Sequence, residues 1–222
     1  RDVLGSRGLG DVYKRQEPFI LPKTIPLQTI ERIMSYAYSE YKKQSTYFAH
    51  KTALRNVLIL ELLFATGMRI SELCTLTTEQ INFNDYIIKI YGKGSKERLI
   101  QICNKNVQRL MDEYRNEFYF KLNNYNYFFI NRLNNRLSEQ SVRNMISNYA
   151  EKAKIQLHIT PHMFRHSFAT LLLEEDVDIR YIQQMLGHSS ITTTQIYTHT
   201  SINKQKDILT VKHPRNKIDI GI

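Results

Sequence analysis

Six side chains able to handle a phosphate or a proton fall at turns and helix ends, where binding residues concentrate. Arg69 lies in TGMRISEL, Lys93 in YGKGSK, His162 and Arg165 in TPHMFRHSFAT, His188 in LGHSS and Tyr197 in QIYTH. His162 and Arg165 are three positions apart, so they share one face at the start of a helix. Arginine presents planar, permanently charged donors that match phosphate oxygens. Each residue also has an everyday reading. A lone arginine at a helix junction is commonly a solvated or capping group. Lys93 suits a soluble turn as well as a phosphate cradle, and its surroundings do not match the GxxxxGK[ST] pattern of a P-loop. His162 and His166 have the spacing of a helical metal pair, but Met163 stands where a zinc protease needs glutamate. His188 alone reads as a helix C-terminal cap, and Tyr197 alone as a half-buried aromatic.

The elements that must position these residues follow from apolar spacing. Pro18, Pro22 and Pro26 mark an extended lead-in. Leu27, Ile30, Ile33, Met34 and Ala37 predict a helix over 27–44. Leu54, Val57, Leu58, Leu62 and Phe64 predict another over roughly 51–66, ended by Gly67, with a short helix from Ser71. Over 86–102 the period changes to two. Ile88 and Ile90 alternate with Lys89 and Tyr91, and Arg98, Ile100 and Ile102 with Leu99 and Gln101, around the glycine-rich turn Gly92–Ser95. That is a β-hairpin with Lys93 in its turn. Helices are expected over 105–121, from the cap Ser138 to Lys154, from Thr160-Pro161 to Leu173, from Asp178 to Gly187, and from Ser190 to Tyr197. Tyr125–Ile130 reads as partly strand-like, and the aromatics from Tyr114 to Phe129 as core rather than base-stacking surface. Residues 201–210 form an amphipathic helix with Ile202, Ile208 and Leu209 as its apolar positions. The fold class is α+β, mainly helical, with a small antiparallel sheet.

Composition narrows the partner. The 222 residues carry a formal net charge of +10 and a sequence pI near 9.5, which point to a polyanion. Residues 1–16 resemble a translated cloning adaptor and are set aside. Arg1, Arg7, Lys14 and Arg15 against Asp2 and Asp11 give that segment +2, so the remainder keeps +8. Two cysteines, Cys74 and Cys103, sit among apolar neighbours and favour a reduced, intracellular protein. No apolar run reaches about 18 residues, so no membrane helix is expected. No acidic cluster or Cys/His set suggests a metal cage.

Taken in order, ATGMRISEL, YGKGSKERLIQI, TPHMFRHSFATLLLE, IRYIQQMLGHSSITTTQIYTH and the tail VKHPR resemble the tyrosine recombinase family, its phage-integrase and Xer group. The resemblance spans roughly residues 20–215, and its specificity comes from five motifs agreeing in order and spacing. It implies the catalytic-domain fold over residues 17–222, with 198–222 as a C-terminal tail, and a separate N-terminal DNA-clamping domain that is absent here. It implies a site-specific recombinase or integrase, acting on double-stranded DNA recombination sites in a cytoplasmic, nucleoid-associated setting, often for a mobile element. Arg69 and Arg165 match the family's two catalytic arginines, Lys93 its hairpin lysine, His162 the first residue of H-x-x-R, His188 the later histidine and Tyr197 the nucleophile. Glu72 matches an acidic position behind the arginines. None of these positions departs from the pattern. In the implied reaction Tyr197 attacks a DNA phosphodiester, His162 removes its proton, Lys93 protonates the leaving 5′ oxygen, and Arg69, Arg165 and His188 stabilise the extra negative charge. Neither metal, cofactor nor ATP is needed, since the 3′-phosphotyrosyl link conserves the bond energy. Assembly is implied as a homotetramer on DNA coupled by exchange of the tail, with the free domain monomeric and its tail helix loose or folded back. Rival readings are a type IB topoisomerase with the same covalent chemistry, a non-catalytic DNA-binding module, and a metal-dependent nuclease.

Overall fold

Helix α2, Tyr47–Thr66, is buried around its whole circumference from Val57 onward and carries only Glu61 as a charged group there, so it belongs at the centre of the molecule. Leu54, Val57, Leu58, Ile59, Leu60, Leu62, Leu63 and Phe64 are fully buried there. In this computed structural model, which describes residues 23–91, 97–118, 125–187 and 200–220, other helices pack around α2. α1 spans Leu27–Lys43 and buries Ile30, Ile33, Met34, Ala37 and Tyr38. α3, Ile70–Thr75, follows the α2 C-terminus directly. α4 is Lys105–Glu117, α5 Glu139–Lys152, α6 Pro161–Glu174, α7 Ile179–Leu186 and α8 Thr200–Lys212. Strands β1 (Ile81–Asn82), β2 (Ile87–Tyr91) and β3 (Glu97–Gln101) form an antiparallel sheet in sequence order. The fold class read from the sequence holds, mainly helical with one small sheet.

Local chemistry accounts for the boundaries. Asn104, Ser138 and Asp178 accept backbone N–H bonds at the starts of α4, α5 and α7. Gly67 and Gly187 end α2 and α7 in the left-handed region, at φ 58° and 69°. The lead-in is fixed by Ile25, whose N–H donates to Ser167 Oγ on α6 at 2.7 Å. Several expectations shift. Helix α2 begins four residues earlier than its apolar spacing suggests, because Tyr47 and Phe48 are exposed and leave no core-facing period. Helix α4 ends at Glu117 rather than 121. Tyr125–Ile130 is not a strand; it contributes only single bridges, Thr77 with Tyr127 and Ile130 with Arg136. Tyr114, Phe118, Phe128 and Phe129 are core, with Tyr114 stacked on Phe118 at 4.3 Å between ring centroids. The expected helix from Ser190 to Tyr197 lies outside the described residues.

The hairpin register decides what the sheet presents inward. Ile88 pairs with Ile100 and Ile90 with Arg98, so Arg98 shares the buried face of the isoleucines. A second apolar cluster joins α6, α7 and α8 through Phe168, Leu172, Val177, Ile182, Met185, Leu186 and Leu209. Leu209 is fully buried, so the tail helix α8 is folded firmly onto its own chain. Within the VKHPR stretch beyond it, His213 and Arg215 are buried, 5% and 1% exposed.

Candidate active site

Arg69 stands between α2 and α3. Its backbone N–H donates to Glu72 Oε2 at 2.7 Å and its Nη1 to Glu72 Oε1 at 2.9 Å. The first bond is the N-terminal half of a capping arrangement, satisfying a donor that a helix start leaves free. The second aims the guanidinium. The Arg69 side chain remains 39% exposed while that of Glu72 is only 7% exposed. The carboxylate is therefore an internal anchor, and the arginine is the group offered to a ligand.

Arg98 reaches the same carboxylate from β3. Its Nη1 and Nη2 donate to Glu72 Oε1 and Oε2 at 2.9 and 2.7 Å, a two-pronged pair. Burial by itself pushes the Glu72 carboxyl upward, but the bonds and charge of Arg98, then those of Arg69, hold it below its usual value. Glu72 thus stays ionised.

Arg165 comes from α6 and is 7% exposed. Its Nη1 donates to Gly67 O at 2.7 Å and its Nη2 to Leu186 O at 2.6 Å. Both are carbonyls at helix C-termini, which lack partners inside their own helices. Burial, followed by repulsion from Arg69 and then Arg98, lowers its pKa to about 10. Arg69 and Arg98 share the Glu72 carboxylate, and Arg165, held on Gly67 O beside them, feels the charge of all three. The cluster has an excess of positive charge with Arg69 at its open edge, which is a site prepared for an anion.

His162 lies one turn before Arg165 on α6 and is exposed. His166 is held below its usual value by burial first, then by His162 and Arg165 nearby. Among the described residues no group of three or more His, Cys, Asp or Glu is arranged to hold a metal ion. No described helix is long and apolar enough to cross a membrane. The structure therefore brings Arg69, Glu72 and Arg165 together and places His162 on the helix of Arg165. Lys93, His188 and Tyr197 lie outside the described residues. Arg98 is the site residue that motif reading passed over. Its signal was an arginine at an inward position of an alternating strand, which requires a buried partner.

Comparison with known proteins gives concordant matches. A family described as the phage integrase family matches residues 23–204. A tyrosine recombinase of Agathobacter rectalis is 56% identical over 200 residues, covering 90% of this chain and 65% of the relative. Tyrosine recombinase XerD of Halalkalibacterium halodurans is 37% identical over 198 residues, covering 88% and 63%. The chain thus spans a little under two thirds of the length of these relatives. Among solved structures, XerA recombinase superposes with a TM-score of 0.64 at 28% identity, over 84% of this chain and 65% of that one. XerH recombinase bound to its difH substrate, before cleavage, gives 0.64 at 25% identity, over 89% and 52%.

Proposed function

We propose, on the premise that the chain belongs to the phage integrase family, that it is the catalytic domain of a tyrosine recombinase: a site-specific recombinase or integrase that cuts and rejoins DNA. The observation that carries this reading is the Arg69–Glu72–Arg98–Arg165 cluster. It gathers excess positive charge, fixes it through a carboxylate and carbonyls, and leaves Arg69 facing outward.

The reaction assigns one task to each group. A phosphodiester under attack passes through a pentacoordinate state with more negative charge on its non-bridging oxygens. Arg69, Arg165 and His188 stabilise that charge. The Tyr197 hydroxyl, a phenol that must lose its proton to attack well, gives that proton to His162 as its oxygen bonds to phosphorus. The bond from phosphorus to the 5′ oxygen breaks, and Lys93 supplies the proton that oxygen takes up. The products are a 3′-phosphotyrosyl link and a free 5′-hydroxyl. Attack by a 5′-hydroxyl runs the steps backward and restores Tyr197, with no ATP, metal or cofactor consumed.

Residues 17–222 act as the catalytic unit and 198–222 as its tail. The partner is double-stranded DNA carrying recombination sites, which the net charge of +10 favours. XerH was captured on its difH substrate, and a similar protein–DNA complex is the working state proposed here. On DNA the active unit is a homotetramer coupled by exchange of the tail. The setting is cytoplasmic and DNA-associated.

The test is covalent trapping. A nicked suicide substrate should leave a denaturant-resistant protein–DNA adduct, formed equally well in excess chelator and lost in Tyr197→Phe. An adduct of undiminished yield from Tyr197→Phe, or cleavage that needs added magnesium, would overturn the reading.

A further inference from the structure

We infer that Arg98 is a positioning residue for the strand-transfer site: it sets the orientation of Arg69 through Glu72 and holds the turn at the end of α7. The inference rests on the proposed function and adds a residue to it.

Three facts carry it. Arg98 is inaccessible, its side chain only 6% exposed. Each of its three nitrogens already has a protein partner, Nη1 and Nη2 on Glu72 and Nε on Met185 O at 2.9 Å, so three of its five N–H donors are taken. Its direct bonds to Glu72 and α7 mark it as a group that holds other parts of the site. Third, the Glu72 carboxylate accepts four hydrogen bonds, two from Arg98 and two from Arg69, which fills its acceptor positions. Because Arg98 occupies one side of Glu72, Arg69 is confined to a single Nη1 contact and keeps its remaining donors for a ligand. With Arg98 removed, a buried carboxylate would compete for the Arg69 guanidinium.

The second duty concerns α7. Met185 O and Leu186 O are adjacent carbonyls at its C-terminus, the first accepting from Arg98 and the second from Arg165. Gly187 follows at φ 69°, and a Cβ placed on it would lie 3.0 Å from Arg98 Cδ and 3.1 Å from Nη1. The Arg98 side chain thus lies flat against the residue that precedes His188 in the chain. Arg98 also sits on β3, the strand that follows the turn bearing Lys93. One guanidinium thus links Glu72, which holds Arg69, to the C-terminus of α7. Lysine cannot make three planar, divergent bonds, so charge alone does not replace it.

The experiment uses the full-length recombinase on a nicked suicide substrate in single turnover, with DNA affinity and melting temperature measured alongside. Arg98→Lys is the principal variant, since it keeps the charge opposite Glu72 and the fold. Arg98→Met is the more severe companion. The expected result for Arg98→Lys is a cleavage rate at saturating DNA lowered about 10²-fold, as for a misplaced catalytic group, with DNA affinity near wild type. The decisive readout is non-additivity. Arg69→Ala should be slow, and adding Arg98→Lys to it should cost far less than the roughly 10²-fold it costs alone, the small remaining loss reporting the contact with α7. A multiplicative loss in the double variant, a loss that follows melting temperature, or an unchanged rate in Arg98→Lys would overturn the inference. Orthovanadate affinity of the same proteins, by calorimetry, supplies a readout independent of cleavage. Vanadate mimics pentacoordinate phosphorus, and its binding should weaken in Arg98→Lys, while adding Arg98→Lys to Arg69→Ala should weaken it much less than Arg98→Lys does alone. If wild type forms no adduct, strand cleavage itself fails, while the vanadate series still supports or refutes Arg98 as the group that orients Arg69.

Discussion

Glu61 and Arg215, 154 positions apart, meet in a two-pronged ion pair inside the core: Arg215 Nε and Nη2 donate to Glu61 Oε2 and Oε1 at 2.7 and 2.8 Å. Tyr38 donates its hydroxyl to the same carboxylate at 2.8 Å, and Arg215 Nη1 donates to Ile218 O. Glu61 lies on the central helix and Arg215 in the tail, so this pair fastens the chain's end to its middle. Breaking it from one side leaves a charge buried without a partner. Arg215→Ala should destabilise by about 3–5 kcal/mol. Glu61→Leu/Arg215→Met removes both charges and should recover most of that loss. Urea denaturation midpoints of the three proteins check this; a double variant less stable than Arg215→Ala would contradict it.

His213 gives the tail a pH dependence. Its Nε2 faces Ala65 O at 2.8 Å and its Nδ1 accepts from Arg215 N, which fixes the Nε2–H tautomer. Burial, only partly offset by the bond to Ala65 and reinforced by the nearby Arg215 charge, lowers its pKa to about 4. Between the ordinary histidine value of about 6.5 and that value the unfolded chain binds a proton that the folded chain refuses. Stability should therefore fall as pH falls through this window, by about 3 kcal/mol in all. Glu72 and Asp178 have lowered values and lose their contributions only within and below the ordinary carboxylate range, so pH 6.5 to about 5 isolates the histidine effect. His166 adds a term of the same sign. His213→Gln should flatten the slope of unfolding free energy against pH in that window; an unchanged slope would refute the assignment.

Gly67 is a steric and electrostatic junction. It holds φ 58°, and a Cβ there would lie 2.7 Å from Phe168 Cδ1 and 2.9 Å from Leu186 Cδ2. Its carbonyl accepts from Arg165. Gly67→Ala combines a left-handed penalty with overpacking, together about 2–4 kcal/mol. Movement of the carbonyl should also displace Arg165. A lower urea midpoint with cleavage slowed even well below the melting temperature is expected; a variant of normal stability and rate would show that the junction is soft.

These residues show what was legible in the sequence and what was not. Arg69 and Arg165 were readable because each lies in a local motif, TGMR and HMFR, whose helix boundaries are set by nearby Gly67 and Pro161. The hairpin was readable because Ile88, Ile90 and Ile100 alternate. Arg98 was half legible: its inward phase was visible, its partner Glu72 was not, since 26 positions separate them. Glu61 with Arg215 was illegible. A glutamate in a mostly apolar helix and an arginine in a basic tail have no local sign of pairing. The start of α2 was missed because exposed Tyr47 and Phe48 break the apolar period that identifies a helix.

The last prediction separates acid from charge stabiliser. Lys93 stands between two glycines in the sequence, Gly92 and Gly94, and its proposed task is to protonate the 5′ oxygen as it leaves. Removing a general acid costs about 10²–10⁴-fold in rate. Lys93→Ala should therefore cleave ordinary DNA slowly. Sulfur in place of the bridging 5′ oxygen gives a leaving group that departs without a proton. On that substrate Lys93→Ala should cleave at close to the wild-type rate, while Tyr197→Phe stays inert. Arg69→Ala should stay slow on both substrates. The non-bridging oxygens proposed for Arg69 carry their charge whichever atom leaves, and the bond to Glu72 fixes that guanidinium independently of the leaving group. Single-turnover rates of the four proteins on the two substrates decide the matter. Rescue of Arg69→Ala as complete as that of Lys93→Ala, or no rescue of Lys93→Ala, would show that the two tasks are divided differently.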